Sequence, residues 1–515
     1  MLFVLYYLTL AVALAMTAVY YAHMFQLESY LTHSFYKWIN AKNRRSHALL
    51  FVPSVLSGIL LLVAGSEIVP LILGVALLAL TAVLFRPRKA KKPFVATARM
   101  KRLFVTEALL CLLVCTLVHI AGLPGLSAFL VLLMPYITLL GNAIGRPVEK
   151  AVCNRYIREA RRIIEARRGS LIVIGITGSY GKTSTKYFLN KLLSQKYNVL
   201  MTPASYNTTM GVVRVIREML KPSHEIFICE MGARCAGEIK EICDIVLPTH
   251  GIITSIGPQH LETFKNIENI VNTKFELADA VGDKGVMICN GDNRYIYERR
   301  HSDNYIYYGM TNDEAGYFAD HVAVSADGTS FDLRFPDGEV LSFTTHLIGM
   351  HNVLNILACA AMADVFEVPR TDIARAVRML EPVPHRLQLF DGGDVLIIDD
   401  SFNSNPSGSR SALEALGAFE GVRVIVTPGM VELGESQSIL NHELGIHAAK
   451  HCHYIYIVGE ENYESIRRGA CSTGFDVNRI FRVVDPAQAI ASVRTLPTAQ
   501  KKIVLLENDL PDNFK

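Results

Sequence analysis

The stretch LIVIGITGSYGKTSTKYFL, residues 171–189, constrains this chain more than any other segment. It opens with apolar, mostly β-branched residues, typical of a buried parallel strand, and closes in a pattern with helical periodicity. Between these lie three glycines spaced by three residues, followed by Lys182 and Thr183. A strand, a glycine-rich loop and a helix N-terminus form a phosphate cradle, in which the lysine reaches the β- and γ-phosphates and the hydroxyl reaches Mg²⁺. The chain is therefore predicted to bind a nucleoside triphosphate.

This loop is a variant of the plain P-loop. The plain spacing places a glycine at position 176, where this chain has Ile176, so the motif here is GxxGxxGKT. A glycine-rich turn with a chance lysine is the alternative interpretation, but the order strand, loop, helix favours a phosphate site. The residues expected to line it are Gly178, Ser179, Tyr180, Gly181, Lys182, Thr183 and Ser184.

The composition bounds the class of protein. Half of the 515 residues are hydrophobic and 19% are charged, which is too apolar for a wholly soluble chain of this length. A formal net charge of +3 argues against a nucleic-acid partner. Ten cysteines without a CxxC pair indicate a reducing compartment and argue against a disulfide framework or a zinc ribbon.

The first 141 residues are predicted to form a multi-pass helical membrane domain. Its first apolar run lacks a basic n-region and a cleavage site, so it is interpreted as a retained helix. Basic residues are concentrated after the first and third spans, which places the N-terminus outside and the chain beyond residue 141 in the cytoplasm, at the inner membrane. In the last hairpin, His119, Pro124 and Pro135 leave a re-entrant segment open as an alternative. Five spans are predicted, at 2–22, 48–65, 68–85, 103–121 and 124–141.

Three further segments follow. Residues 142–170 are rich in arginine and are interpreted either as a basic amphipathic helix along the inner leaflet or as a plain linker helix. Residues 171–385 alternate strands and helices, which predicts a mainly parallel sheet, with a small β insertion at 305–347 marked by Asp-Gly turns. Residues 386–515 predict a C-terminal, Rossmann-like α/β domain.

Several polar residues follow predicted strand ends or start helices. Glu230 ends a strand that neighbours the P-loop strand, where a Mg²⁺ ligand belongs, although a surface carboxylate is the alternative. His260 also follows a strand end, and a lone histidine there is more often structural. Lys274 lies on a predicted helix, where a single lysine normally faces solvent. The remaining polar groups are His351, Asn352 and Asn355 at a helix start, and Asp399, Asp400, Asn403 and Asn405 after a strand.

In this order and spacing, these segments resemble the Mur ligase superfamily, ATP-dependent ligases that join amino acids or peptides to peptidoglycan precursors. The resemblance covers residues 171–460, and the branch it most resembles is MurF, which adds D-alanyl-D-alanine. The matching segments are GITGSYGKTST, SYNTTMGV, EMGARCAGEI, GPQHLETF, the TKFEL lysine, GMHNVLNILA, HRLQ, DDSFNSNP and PGMVELGE.

The resemblance implies a role for each matching position around the phosphates. Lys182 would bind the phosphates, and Thr183 would bind both phosphate and Mg²⁺. Glu230 and His260 would hold Mg²⁺. Lys274 corresponds to the family lysine that becomes carbamylated and helps to position a second Mg²⁺, so it counts among the metal-site residues in that form.

The resemblance also implies roles at the base and at the amine. Asn352 and Asn355 would lie at the adenine. Arg386 and Asp400 would approach the nucleotide from the C-terminal lobe. Asn403 would lie near the incoming amine, so Lys182, Lys274 and His260 are expected to share the catalytic work with it.

The function implied by the resemblance is that of a membrane-anchored, ATP- and Mg²⁺-dependent amide ligase. It would activate a carboxylate as an acyl phosphate and join it to an amine such as D-alanyl-D-alanine. The carboxylate would be a peptidoglycan precursor, linked either to UDP or to a lipid. Two alternatives stay open: a Mur-type ligase for another carboxylate, such as a polyglutamate chain, and an ATPase that drives a membrane transporter or sensor.

Overall fold

The computed structural model describes residues 2–28, 30–40, 48–64, 67–86, 92–204, 206–259, 261–299, 302–402, 404–431 and 433–509. These residues fall into two compact units. The first ends at Asn154, and the second runs over Arg155–Asp509.

The first unit is helical. Three segments are long and apolar enough to cross a membrane by length and composition, namely Leu2–Leu27, Ala98–Ile120 and Pro124–Glu165. The predicted second and third spans form apolar helices of only 12 and 17 residues. The helices are α1 (Leu2–Leu27), α2 (Thr32–Ile39), α3 (Val52–Val63), α4 (Ile68–Leu84), α5 (Ala98–Ile120) and α6 (Leu130–Glu165).

Helix α6 runs without interruption over 36 residues. The predicted boundary at residue 141 falls inside it, and residues 142–165 of the arginine-rich segment form the C-terminal part of the same helix. Pro135 and Pro147 lie within α6. Each proline lacks a backbone N–H and so removes one hydrogen bond of the helix. The helix continues through both prolines, since the turns before and after each of them are helical.

The second unit contains two sheets, and the first has nine strands in the order β2-β3-β1-β4-β5-β6-β7-β8-β9. Every neighbouring pair from β2 to β7 is parallel, and β8 and β9 are antiparallel additions. The strands are β1 (Ile172–Thr177), β2 (Val199–Met201), β3 (Ile226–Glu230), β4 (His250–Ile253), β5 (Met287–Asn290), β6 (Tyr305–Gly309), β7 (Tyr317–Ser325), β8 (Gly328–Arg334) and β9 (Val340–Thr345).

The segment predicted as a small β insertion continues this sheet and does not form a separate layer on it. β6 pairs with the edge of β5, with Met287 opposite Tyr305. Because this pairing occupies the exposed main-chain groups of β5, the sheet edge moves outward to β9.

Helices cover both faces of the nine-stranded sheet. One core contains side chains of α7, α13 and α14, and the other contains side chains of α8, α9 and α11. The two apolar faces explain why the central strands are continuous apolar runs. The helices are α7 (Lys182–Leu193), α8 (Thr209–Glu218), α9 (Glu238–Val246), α10 (Leu261–Phe264), α11 (Ile267–Val281), α12 (Arg294–Tyr297), α13 (Met350–Val365) and α14 (Arg370–Arg378).

The second sheet has six strands in the order β10-β11-β15-β12-β13-β14, of which only β10 is antiparallel. The edge strands β10 and β14 are short and partly polar, so the sequence pattern does not single them out. The elements are β10 (Gln388–Asp391), β11 (Val395–Asp400), α15 (Pro406–Gly417), β12 (Val422–Thr427), α16 (Gln437–His451), β13 (Tyr454–Val458), α17 (Tyr463–Ser472), β14 (Ile480–Val483), α18 (Pro486–Arg494) and β15 (Lys502–Glu507).

Candidate active site

The glycine loop lies between β1 and α7 at the carboxyl edge of the nine-stranded sheet. Gly178 and Gly181 have φ angles of +150° and +80°, which side chains with a Cβ rarely adopt. A Cβ on Gly178 would lie 2.1 Å from Oγ1 of Thr254, and one on Gly181 would lie 2.5 Å from Oδ1 of Asn355. Both positions therefore require glycine.

The segment that follows β4 holds this loop in place. The main-chain N–H of Ser179 donates to the carbonyl of Ser255 at 2.6 Å, and the hydroxyl of Ser179 donates to the carbonyl of Gly257 at 3.0 Å. The phenol of Tyr180 donates to the carbonyl of Pro258 at 2.7 Å. These hydrogen bonds fix the conformation of the loop, and a preorganised loop is suited to binding an anion.

Lys182 begins α7 and folds back over the loop. Its Nζ donates to the carbonyls of Gly178 at 2.7 Å and Ser179 at 3.0 Å. Burial lowers the pKa of Lys182 to about 8; Glu230 opposes this change and the charge of Arg386 adds to it. A phosphate bound at the loop would stabilise the charged form of this lysine.

Glu230 ends β3, and its side chain is 1% exposed. Its Oε1 accepts hydrogen bonds from Oγ1 of Thr183 at 3.1 Å and from Nδ2 of Asn207 at 3.0 Å, and its Oε2 accepts one from Nζ of Lys186 at 2.8 Å. Burial acts to raise the pKa of Glu230, but the charge and hydrogen bond of Lys186, with smaller contributions from Lys182 and Asn207, bring the pKa below its ordinary value. The carboxylate is therefore ionised.

The donor atoms around Glu230 fit Mg²⁺ that is shared with phosphates. They are a carboxylate and the hydroxyl of Thr183, both oxygen ligands, and Mg²⁺ is usually held by one or two carboxylates together with waters and substrate phosphates. Within the described residues, no group of three or more His, Cys, Asp and Glu side chains could hold a metal by itself. His260, the other predicted ligand, lies outside the described residues.

Lys274, on α11, is another buried lysine. Its side chain is 2% exposed, and its Nζ lies 5.9 Å from the centre of the Phe264 ring. Burial, together with the charge of Lys182, lowers the pKa of Lys274 to about 7, and the charges of Glu238 and Glu276 oppose this change. A lysine on a helix normally faces solvent, whereas this one is buried, and a substantial fraction of its amine is uncharged near neutral pH.

The polar residues at the start of α13 point into the protein. Oδ1 of Asn355 accepts a hydrogen bond from Oγ1 of Thr185 at 3.2 Å, and Nδ2 of Asn352 donates to a main-chain carbonyl one turn earlier at 2.9 Å. Burial, with the charge of Arg386, lowers the pKa of His351 to about 4, so its imidazole is neutral. Nδ1 of His351 has no hydrogen-bond partner among the described residues.

The six-stranded lobe contributes Arg386 and Asp400. The Arg386 guanidinium lies 4.5 Å from the centre of the Phe402 ring. Burial lowers the pKa of Arg386, while Asp400 and Glu230 oppose the change. Burial also raises the pKa of Asp400 to about 6 against the effect of Arg386. Charges of the two lobes therefore act on one another, and Asn403, predicted at the amine, lies outside the described residues.

Two further charged residues, one next to each sheet, are absent from the sequence-based site. Lys186 lies one helical turn after Lys182, so its spacing places it on the same face of α7. Glu507 ends β15 opposite Asp400; its oxygens accept from the hydroxyl of Ser404 and, at 2.9 Å, from that of Thr427. Two features could have revealed them. Lys186 is a charged residue on the same helix face as Lys182, and Glu507 is a charged residue at the end of a predicted strand.

Two family models match the chain: the Mur ligase middle domain at residues 176–363 and the Mur ligase, glutamate ligase domain at residues 385–506. Among curated relatives, the UDP-N-acetylmuramoyl-tripeptide--D-alanyl-D-alanine ligase of Bacillus subtilis is 30% identical over 53% of this chain and 59% of its own length. The enzyme of the same name from Mycobacterium leprae is 30% identical over 63% of this chain and 69% of its own.

A solved structure shares the fold of this region. The MurF ligase of Thermotoga maritima in complex with ADP superposes with a TM-score of 0.61 at 25% identity, covering 69% of this chain and 80% of that one. The chain spans about 59% of the length of the Bacillus subtilis relative. The first of the two matching family models begins at residue 176 of this chain.

Proposed function

Because the chain belongs to the Mur ligase family, we propose that it is an ATP-dependent ligase of the MurF type, which joins a carboxylate to an amine. The observation that carries this proposal is a cluster of interacting ionisable side chains at the carboxyl edge of the nine-stranded sheet. Lys182 lies there with the buried Lys274 and the ionised Glu230, and the charge of Arg386 of the other lobe acts on Lys182. A site in which Lys182 and Arg386 supply positive charge next to the carboxylate of Glu230 is suited to a triphosphate and its metal.

The proposed first step forms an acyl phosphate. An oxygen of the substrate carboxylate attacks the γ-phosphorus, and the bond to the bridging oxygen of ADP breaks. Lys182 and Arg386 offset the charge on the transferring phosphoryl group. Mg²⁺ at Thr183 and Glu230 would supply further charge neutralisation and would orient the phosphates.

The second step forms the amide. The amine nitrogen attacks the acyl carbon, the bond from that carbon to the phosphate oxygen breaks, and the proton lost by the nitrogen leaves with the released phosphate as hydrogen phosphate. Asn403, the residue proposed to lie near the amine, follows β11 and Asp400 in the sequence. Closing the two lobes would exclude water from the acyl phosphate, which would otherwise be hydrolysed.

Lys274 supports the proposal through its environment. Carbamylation requires an uncharged amine that adds to CO₂, and burial lowers the pKa of Lys274 to about 7. The resulting carbamate would be an anionic oxygen ligand beside Lys182, and we propose that it positions a second Mg²⁺.

The substrates proposed are those in the relatives' names, a UDP-linked muramoyl peptide and D-alanyl-D-alanine, with a lipid-linked form of the peptide as the alternative carboxylate. A UDP-linked or lipid-linked muramoyl peptide would provide the carboxylate, and D-alanyl-D-alanine would provide the amine. We also propose that the first unit anchors the chain in the inner membrane with the second unit in the cytoplasm. The three long apolar helices support this. The basic residues at 42–45 and 88–91, which support the orientation, lie outside the described residues.

The test is ATP-dependent phosphate release by the full chain in nanodiscs. Each muramoyl peptide form is supplied with and without D-alanyl-D-alanine, and products are examined by mass spectrometry. Release that requires both substrates, with a new amide, supports the proposal and identifies the acceptor. Phosphate release at the same rate with and without the two substrates, and with no amide product, would contradict the proposal. It would favour an ATPase that drives a membrane transporter or sensor.

A further inference from the structure

Lys186 and Glu230 form a fully enclosed ion pair in the phosphate site. The side chains are 0% and 1% exposed, and Nζ lies 2.8 Å from Oε2. Lys186 is four residues beyond Lys182, and the roles assigned to the site so far do not use it.

The Lys186 ammonium has three neighbours that fix its position. Besides Glu230, its Nζ donates to the main-chain carbonyl of Ala204 at 2.5 Å and lies 5.1 Å from the centre of the Tyr187 ring. Ala204 lies between β2 and α8, as does Asn207, the residue bonded to the other oxygen of Glu230. The position of the positive charge is therefore fixed by α7, by β3 and by this loop together.

A fixed ammonium weakens the affinity of Glu230 for a divalent cation. A cation bound to Oε1 shares one carboxylate with Lys186, a few ångströms from its charge, in a site that water hardly reaches. Repulsion between like charges at this separation is strong when the environment is buried. Lys182, whose charge also acts on Glu230, adds to the same repulsion.

We propose that Lys186 prevents a divalent cation from binding at Glu230 until nucleotide phosphates are present. Phosphate charges would offset both lysines, so the metal and the nucleotide enter together. Lys186 is thus a positioning residue for the metal site. This inference rests on the proposed function, because it takes Glu230 as a metal ligand.

The experiment measures Mn²⁺ binding by electron paramagnetic resonance on the full chain without nucleotide. The variants are Lys186→Met, Lys186→Gln and Lys186→Arg. The matched control is Lys191→Met, since Lys191 is an exposed lysine on the same helix. Glu230→Gln, alone and combined with Lys186→Met, reports whether the bound Mn²⁺ is at Glu230.

We expect Lys186→Met and Lys186→Gln to bind Mn²⁺ at least about tenfold more tightly than the wild-type chain, and the double variant with Glu230→Gln to lose this binding. Lys186→Arg and Lys191→Met should resemble the wild-type chain. With ADP present, the wild-type chain should also gain Mn²⁺ at Glu230.

Equal Mn²⁺ affinity in the wild-type and Lys186→Gln chains would overturn the proposal. So would wild-type Mn²⁺ binding at Glu230 that is as tight without ADP as with it, a result that needs no variant to fold. Both results are independent of amide formation, so a failure of this inference is distinguishable from a failure of the proposed ligase activity.

Discussion

The hydroxyl of Thr185 donates a hydrogen bond of 3.2 Å to Oδ1 of Asn355 and thereby joins the P-loop helix to a helix 170 residues later. The same oxygen occupies the space that a Cβ on Gly181 would need. Asn355 therefore supports the back of the phosphate loop, in addition to any contact it makes with the base. The positions of α7, of the glycine loop and of α13 are therefore coupled through the side chain of Asn355.

This relationship predicts that Gly181→Ala weakens nucleotide binding. The new Cβ would collide with Asn355 in a buried site, and the φ of +80° adds backbone strain. We expect the Kd for ADP, measured by titration calorimetry, to rise at least about tenfold, which corresponds to about 1.4 kcal/mol. Gly237→Ala is the control, because Gly237 has φ +87° but open space around it. Equal effects of the two substitutions would contradict the collision argument.

Lys182→Ala is predicted to abolish turnover. Lys182 is the only lysine in the sequence of the loop, and its loss removes the charge proposed to offset that of the transferring phosphoryl group. Removing one such donor costs about 100- to 1,000-fold in rate, measured as phosphate release with both substrates. Lys191→Ala, on the exposed side of the same helix, should keep wild-type activity. Near-normal turnover by Lys182→Ala would remove the P-loop assignment.

Lys274→Ala is predicted to lose activity and to recover part of it with added short carboxylic acids. The small side chain leaves space next to Lys182, and a free carboxylate could take the position of the proposed carbamate. Phosphate release over a series of formate and acetate concentrations measures the recovery, with chloride at equal ionic strength as the control. Full activity of the variant without any added acid would contradict the carbamate hypothesis.

Glu507 is predicted to make the second unit less stable as the pH rises. Burial raises the pKa of Glu507 from 4.5 to about 7, Asp400 adds to this, and Ser404 and Thr427 oppose it. Between these pH values the folded chain keeps a proton that the unfolded chain has lost, so the free energy of unfolding falls with increasing pH. The difference between the two pKa values corresponds to about 3 kcal/mol, present below pH 4.5 and lost above pH 7.

Glu507→Gln should remove this dependence. The amide stays uncharged at every pH, so scanning calorimetry of the full chain should show a higher unfolding temperature than wild type at pH 8 and little difference at pH 4.5. Glu420→Gln, at an exposed glutamate of the same lobe, should leave the wild-type profile unchanged. A lower unfolding temperature for Glu507→Gln at pH 8 would show that the ionised carboxylate stabilises the lobe.

Local sequence patterns were enough to predict much of the fold. The strand, loop and helix around Lys182 could be predicted because the glycine spacing and the apolar periodicity lie within 19 consecutive residues. Glu230 was identifiable because a carboxylate directly follows a buried strand. The strand pairing of residues 305–347 could not be predicted, because the hydrogen bonds that join β6 to β5 depend on which edge is free in three dimensions.

The sequence by itself therefore determined the nucleotide loop, the alternation of strands and helices and the family. Only the tertiary structure decided that Lys186 pairs with Glu230, that Lys274 is buried despite lying on a helix, and that Glu507 lies beside Asp400. The physical reason is that the charge state of an ionisable group depends on its burial and on charges that arrive from other strands and helices. Those neighbours are separated by tens to hundreds of residues along the chain, and no local spacing encodes them.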